Sequence, residues 1–367
     1  MTAAAPDTLA GPARVPAARA TQRLGFNTRV SFSDEAGPAA GLADGVRLFA
    51  AAEELGYQAG WAYQRHFDHY LSSPLPFFAA VGQRTERITL GSAVLPMRYQ
   101  DPVLLAEAAG TTDLLVGGRL ELALSAGATA SWDGVFGAVE VDARTEARRR
   151  LRRFLDAVAG EVLHVVDGEG QGAPVGTPIR VTPHSPGLRG HLRQGVTSAG
   201  SAEHAARLGL GLITGTVLTD VPAGHSFGEH QARIIATYRR TWAELHDTPV
   251  PPVAVAASVL PGTSAALRER YAAYDHQRRT EGMAASRPAG ALTPVQTAAL
   301  PAGTAISPVH HGDPDAVAAA VLADPGIASA DELVLFLPPA FDLAANVRLL
   351  RDLATTVAPA LGWSPSA

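Results

Sequence analysis

From Gln22 onward the chain alternates between short apolar runs with little charge and longer stretches whose apolar residues recur at helical spacing. RLGFNTRVSF reads as a strand. LADGVRLFAAAEELGY follows as a helix, with Val46, Phe49, Ala50 and Leu55 on one face and Gly56 as its stop. AGWAY is the second strand, and PLPFFAAVGQRTER is a helix with proline in its first turn. ITLGSAVL, PVLLAEAAGTTDLLV, GGRLELALSAG and the strongly amphipathic DARTEARRRLRRFLDAVAG continue the alternation. A Gly/Pro-rich excursion over 167–190 interrupts it. The rhythm then returns as LRQGVTSAG, SAEHAARLG, LGLITG, EHQARIIATYRRTWAELH, PPVAVAASVL and SAALRERYAAYDHQRRT. A second irregular stretch covers 282–311. The chain closes with a short helix DPDAVAAAVLA, the strand DELVLFLPP and the helix LAANVRLLRDLATTVAPAL.

Eight apolar strands, each followed by an amphipathic helix, predict a parallel sheet covered on its outer face. The simplest closure is an α/β fold, a (β/α)8 TIM barrel with insertions after strand 4 and before strand 8. An open doubly wound sheet is the alternative, but no GxGxxG follows the first strand, which argues against its dinucleotide-binding form. Residues 21–367 are expected to form this single domain, and the Ala/Pro-rich residues 1–20 a disordered tail.

In such a barrel the active site lies at the carboxyl ends of the strands. The first strand ends near Asn27, Thr28 and Arg29, and the second in YQRHFDHY, which places Arg65, His66, Asp68 and His69 at the mouth. The third strand breaks at Pro96 into Met97, Arg98 and Tyr99, and the fourth runs into Ser125 and Gly127. The fifth ends in TSAGSAEHAARLG. There Thr197, Ser198 and Ser201 offer hydroxyls, Gly200 admits close backbone approach, and Ser201 is expected to cap the helix. Free N–H groups and the helix dipole at that point favour a phosphate.

Composition narrows the chemistry. The chain has no cysteine, which excludes disulfides and thiol nucleophiles. Its net charge of −5 shows no basic face suited to nucleic acid. No apolar run approaches the ~18 residues of a membrane helix, so a cytoplasmic protein is expected. RTEARRRLRR reads as a solvated helix face, Phe77 and Phe78 as packing. His69, His310 and His311 show no metal-ligand spacing.

AAEELGYQAGWAYQRHF, SSPLPFFAAVGQRTERITLGSAVLPMRYQDPVLLAEAAGTTDLLVGGRLELALSAG and SAGSAEHAARLGLGL together resemble the bacterial-luciferase-like flavin-dependent monooxygenase superfamily. The resemblance implies a barrel that binds reduced FMN and uses O2 to oxidise a small organic substrate, with a separate flavin reductase as partner. It implies a non-proline cis peptide at Ala93–Val94 beside the flavin ring, and a phosphate site at Thr197, Ser198, Gly200 and Ser201. Ser125 stands where luciferase has its reactive cysteine, and Ala126 where it has a phosphate-contacting arginine; Arg98 is a candidate replacement. His66 matches one of two adjacent histidines, and Arg65 replaces the other, so His66, Arg65 and Ser125 are the catalytic candidates. A homodimer through the second and third helices is implied as well. Two other uses of the same barrel are a deazaflavin-dependent hydride transfer and a flavin-binding subunit without turnover.

Overall fold

The computed structural model describes residues 23–127, 132–137, 142–170, 172–281 and 302–365. The expected tail, 1–20, and most of the second irregular stretch, 282–301, lie outside the described residues. Eight strands form the core: β1 (Arg23–Thr28), β2 (Ala59–Ala62), β3 (Thr89–Pro96), β4 (Leu120–Ser125), β5 (Leu192–Val196), β6 (Gly211–Thr214), β7 (Val253–Pro261) and β8 (Glu332–Phe336). Each pairs in parallel with its sequence neighbours, and β8 pairs with β1, so the ring closes. The expected (β/α)8 barrel is the fold observed, and the open sheet is excluded.

Around the ring lie α1 (Gly37–Glu54), α2 (Pro74–Gly82), α3 (Pro102–Leu115), α4 (Ala143–Val158), α5 (Ala199–Arg207), α6 (Phe227–Leu245), α7 (Ala265–Glu281) and α8 (Leu343–Thr356). Their starts are chemically marked. Asp101 accepts from the N–H groups of Val103 and Leu104 at 2.9 Å ahead of Pro102, and Ser226 forms a capping box with Glu229. Such caps contribute about 1 kcal/mol each. Between ring and helices Phe26, Phe49, Phe78, Phe154 and Tyr238 are fully buried, and burying side chains of this size stabilises by ~1.5–3 kcal/mol apiece. Phe77 and Phe78 pack against Phe49 here.

Two local expectations are corrected. The second helix stops at Gly82, so Gln83–Arg87 is not helical. Glu53 captures that segment by accepting from the N–H groups of Glu86, Arg87 and Ile88 at 2.7–3.1 Å. The stretch read as irregular contains two strands: Ala305–Ile306 pairs antiparallel with Val217–Leu218, and Val309–Gly312 runs parallel to Ser258–Pro261 of β7. No helix among the described residues is long and apolar enough to cross a membrane.

Inside the ring, small residues (Ala59, Ala93, Ala123, Ala254, Ala256) leave room that Trp61 partly fills. The amino-terminal end is closed by an ionic floor. Arg193 donates to Glu121 at 2.7 Å and to Glu332 at 3.2 Å, and Arg23 reaches the same two carboxylates at 3.0 and 3.4 Å. Trp61 Nε1 donates to Glu332 at 3.0 Å, and the Arg193 guanidinium lies 5.4 Å from the Trp61 ring. Burial pushes the Glu121 pKa up, but Arg193 and Arg23 outweigh it and hold the carboxyl below the usual range.

Candidate active site

At the carboxyl-terminal end the barrel opens into a cavity of about 1080 Å³. Every side of the ring contributes. Asn27 and Arg29 come from the end of β1, Tyr63 from β2, Ala93 and Val94 from β3, and Ser125 with Gly127 from β4. Gln194 to Ser198 come from β5 and its turn, Thr214 from β6, Ala256 from β7 and Phe336 from β8.

The β3 wall carries the cis Ala93–Val94 peptide, and the β3–β4 register shifts between Ala93 and Leu95. Opposite stands Gly195. A Cβ added there would lie 2.5 Å from Cγ1 of Val94, so only glycine lets the Val94 side chain occupy this space. Asn27 Oδ1, Gln194 Oε1 and Arg29 Nε are buried with no hydrogen-bond partner among the described residues. Unmade bonds of that kind are costly. The two amide oxygens fit a ligand that brings donors of its own, as the polar edge of a flavin does, whereas Arg29 Nε calls for an acceptor.

The serine turn expected to hold a phosphate is built differently from the expectation. Ser198, not Ser201, is the N-cap of α5, and its Oγ accepts from the Ser201 N–H. Ser201 occupies the third helical position. Its Oγ accepts from the N–H groups of Ser198 at 3.1 Å and Thr197 at 3.3 Å and donates to the Ser198 carbonyl at 2.8 Å. Thr197, Ser198, Gly200 and Ser201 all line the cavity, and the first turn of a helix has N–H groups without intrahelical acceptors.

Positive charge at this end of the cavity comes from a region read from the sequence as a solvated face. Arg144 and Arg148 of α4 line the cavity together with His204 of α5. The one acid within that run, Glu146, is taken by Arg149 and Arg150 at 2.7 Å each and is held down at about 2, first by the Arg149 hydrogen bond. Arg144 and Arg148 have no carboxylate partner in an ion pair among the described residues. Burial pushes the His204 pKa down, and Arg148 and Arg152 add repulsion. An anion seated there would meet the two exposed arginines beside the N–H groups of the serine turn.

Arg98 does not reach the cavity. Its Nε and Nη2 clamp Asp133 at 2.9 and 2.5 Å, and Tyr99 donates to the same carboxylate at 2.9 Å. This fastens the short helix Asp133–Phe136 to the turn Met97–Tyr99. His66 and Arg65 also stand outside the cavity lining. Arg65 pairs with Asp68 at 2.9 Å. His66 lies in an aromatic layer, 5.0 Å from Phe136 and 6.3 Å from Tyr99, with Phe136 stacked on Tyr99 at 4.7 Å. Its Nε2 is buried without a partner among the described residues, and burial lowers its pKa. The structure therefore gathers Ser125, Ala93, Val94 and the serine turn at one site and leaves Arg65, His66 and Arg98 in the layer beside it. No group of three or more metal-ligating side chains occurs among the described residues.

Sequence reasoning missed Gln194, Gly195, Thr214, Arg144, Arg148 and His204 as site residues. The α4 arginines carried one usable sign: more cations in the run than its single Glu146 can neutralise.

A family model described as luciferase-like monooxygenase matches residues 22–328. The 4-hydroxyprotoasukamycin monooxygenase of Streptomyces nodosus subsp. asukaensis is 33% identical over 108 residues, 29% of this chain and 28% of that protein's length. The chain thus matches less than a third of that curated relative. Monooxygenase RslO1 from Streptomyces bottropensis superposes with a TM-score of 0.70 at 19% identity, covering 92% of this chain and 99% of that one. The oxygenating constituent of 3,6-diketocamphane monooxygenase from Pseudomonas putida, solved in complex with FMN, superposes with a TM-score of 0.66 at 16% identity, covering 94% and 100%.

Proposed function

This chain belongs to the luciferase-like monooxygenase family, and on that premise we propose that it is the oxygenase of a two-component pair, using reduced FMN and O2 to oxidise a small organic substrate. The observation that carries the reading is the joining, in one cavity, of a serine turn flanked by unpaired cations with unpaired amide groups at Asn27 and Gln194. FMN in the P. putida relative and that protein's description as an oxygenating constituent support both the cofactor and a separate reductase.

Bound reduced FMN would supply the activation of O2 for transfer of an oxygen atom to substrate. The chain's own residues bind, orient and shield. Thr197, Ser198, Gly200 and Ser201, with Arg148 and Arg144 nearby, would hold the phosphate. Asn27 and Gln194 would meet the polar edge, and Val94 with Ala93 would give the ring a wall. Ser125 lines that region with a hydroxyl in place of a thiol. The closed ring, sealed below by the ionic floor, keeps water from entering through the barrel. His66 is the proposed proton-handling residue. Burial lowers its pKa, which favours the neutral, proton-accepting ring.

A homodimer belongs to the same proposal, supported by Leu104 and Leu115 of α3, which are 65% and 57% exposed; a monomer in sedimentation would remove that part. So does a cytoplasmic setting shared with the reductase. The test of the central reading mixes the protein anaerobically with reduced FMN or a reduced deazaflavin and then admits O2. Micromolar binding of reduced FMN and oxygen-dependent spectral change are expected. Turnover with the deazaflavin alone, or no FMN binding at all, sinks the assignment.

A further inference from the structure

The pole of the cavity away from the serine turn holds a further unmatched cation. Arg29, 6% exposed, follows the end of β1 and lines the cavity with Tyr63 and Phe336. Its guanidinium is surrounded by rings, 5.4 Å from Tyr63, 5.2 Å from Tyr70 and 5.5 Å from Phe336. Nη1 donates to the Tyr70 hydroxyl at 3.3 Å, and Nε has no acceptor among the described residues. Among the described residues no carboxylate pairs with it.

The backbone fixes this placement. The next residue, Val30, sits at φ 48°, a conformation that β-branched residues rarely adopt, and its N–H donates to Thr28 Oγ1 at 3.2 Å. The Arg29 carbonyl accepts from Leu71 N–H at 3.3 Å. A second buried arginine adds to the field. Arg278, 5% exposed, donates only to hydroxyls among the described residues, those of Ser258 at 3.4 Å and Ser307 at 3.1 Å. Burial pushes its pKa down, the Tyr274 phenol opposes this, and Arg29 adds repulsion. Three arginines and a histidine line the cavity against a single acid, Asp220, among the described residues.

Two buried guanidiniums that repel each other and lack a carboxylate among the described residues are costly, whereas an anion between rings and guanidinium is stabilised strongly in a dry site. The phosphate already has its own cations at the other pole. We propose that Arg29 receives the carboxylate of the substrate, so that this oxygenase acts on carboxylate-bearing organic molecules. The planar fork of Nε and the terminal amino groups suits two carboxylate oxygens, and Tyr63 and Phe336 flank the carbon skeleton. The inference rests on the flavin-oxygenase reading for the word substrate, while the anion site itself stands without it.

The test uses the full chain and three probes: benzoate, benzamide and phenylphosphonate. FMN affinity is measured first by fluorescence quenching, and each probe is then titrated calorimetrically into FMN-loaded protein. If FMN does not bind, the same titrations into flavin-free protein still read the anion site, so the two failures are distinguishable. Benzoate is expected to bind at least tenfold more tightly than benzamide and more tightly than phenylphosphonate. Arg29→Gln removes the preference, Arg29→Lys keeps part of it, and Arg278→Gln weakens benzoate severalfold. All three leave FMN affinity within about twofold and melting cooperative. Equal binding of benzoate and benzamide overturns the proposal, as does a stronger response to phenylphosphonate. So does an Arg29→Gln variant that loses FMN as much as benzoate, because Arg29 would then serve the flavin. Should Arg29→Gln fail to melt cooperatively, an unchanged benzoate preference in Arg278→Gln and Arg29→Lys decides against it.

Discussion

The two ends of the barrel interior handle buried polar groups in opposite ways. At the floor, Arg23, Glu121, Arg193 and Glu332 converge from the starts of four strands, and each charge meets at least one opposite charge within 3.4 Å. At the mouth, Asn27, Arg29 and Gln194 leave buried polar atoms without partners among the described residues, beside the exposed Arg144 and Arg148. The same sheet supplies both, only four residues apart in β1. What differs is completion: one end is satisfied by its own chain, and the other needs a molecule from outside. Burial of charge therefore identifies a functional site only when the accounting of partners fails to close.

The sharpest way to break this contrast is at the floor. Glu332→Ala takes one of the two carboxylates from buried Arg193 and the acceptor from Trp61 Nε1, and the expected loss is about 3–5 kcal/mol of unfolding free energy. Urea unfolding measures it; a loss below about 1 kcal/mol would mean that the floor is not an ionic clamp. At the mouth, Arg148→Ala is expected to weaken FMN binding by roughly tenfold or more, in line with ~1.5–3 kcal/mol for a hydrogen bond to a charged group. Riboflavin, which lacks the phosphate, should bind wild type and variant alike, and unfolding should shift by no more than ~0.5 kcal/mol. Equal losses for both ligands would remove Arg148 from the phosphate site. The smallest effect has the opposite sign. Asn27→Leu removes a polar atom that has no partner, so the flavin-free protein should gain up to about 1 kcal/mol while FMN affinity falls severalfold. A destabilised variant would show that Asn27 is satisfied within the chain.

The barrel was legible because its information is periodic. Runs such as PPVAVAASVL and LGLITG are too apolar for anything but a strand buried on both faces, and their alternation with amphipathic helices fixes connectivity. The serine turn was legible because Thr197, Ser198 and Ser201 stand together next to a helix start, although the identity of the cap was off by three positions. Cap identity depends on where the strand releases the chain, which the local residues do not specify. Arg98 and the α4 arginines were the harder cases. Each depends on a partner far along the chain, Asp133 for Arg98 and the α5 turn for Arg148. No periodic pattern encodes which of several arginines meets an acid and which meets an opening. The second helix ended early for a similar reason, since the residue that ends it, Glu53, belongs to the preceding helix.

One short segment has a consequence of its own. Residues 302–312 contribute Ala302 and Thr304 to the cavity wall, and they join the molecule through the brief ladders to Val217–Leu218 and to Ser258–Pro261, the Arg278 bond to Ser307, and the pairs His310–Asp324 at 3.5 Å and His311–Asp275 at 3.2 Å. None of the eight ring strands depends on them for closure. This stretch is an added panel on a frame that closes without it. Grafting a different panel between the same two anchor points should change which molecules the barrel admits while the scaffold keeps its shape, which makes it the natural place to begin redesigning selectivity.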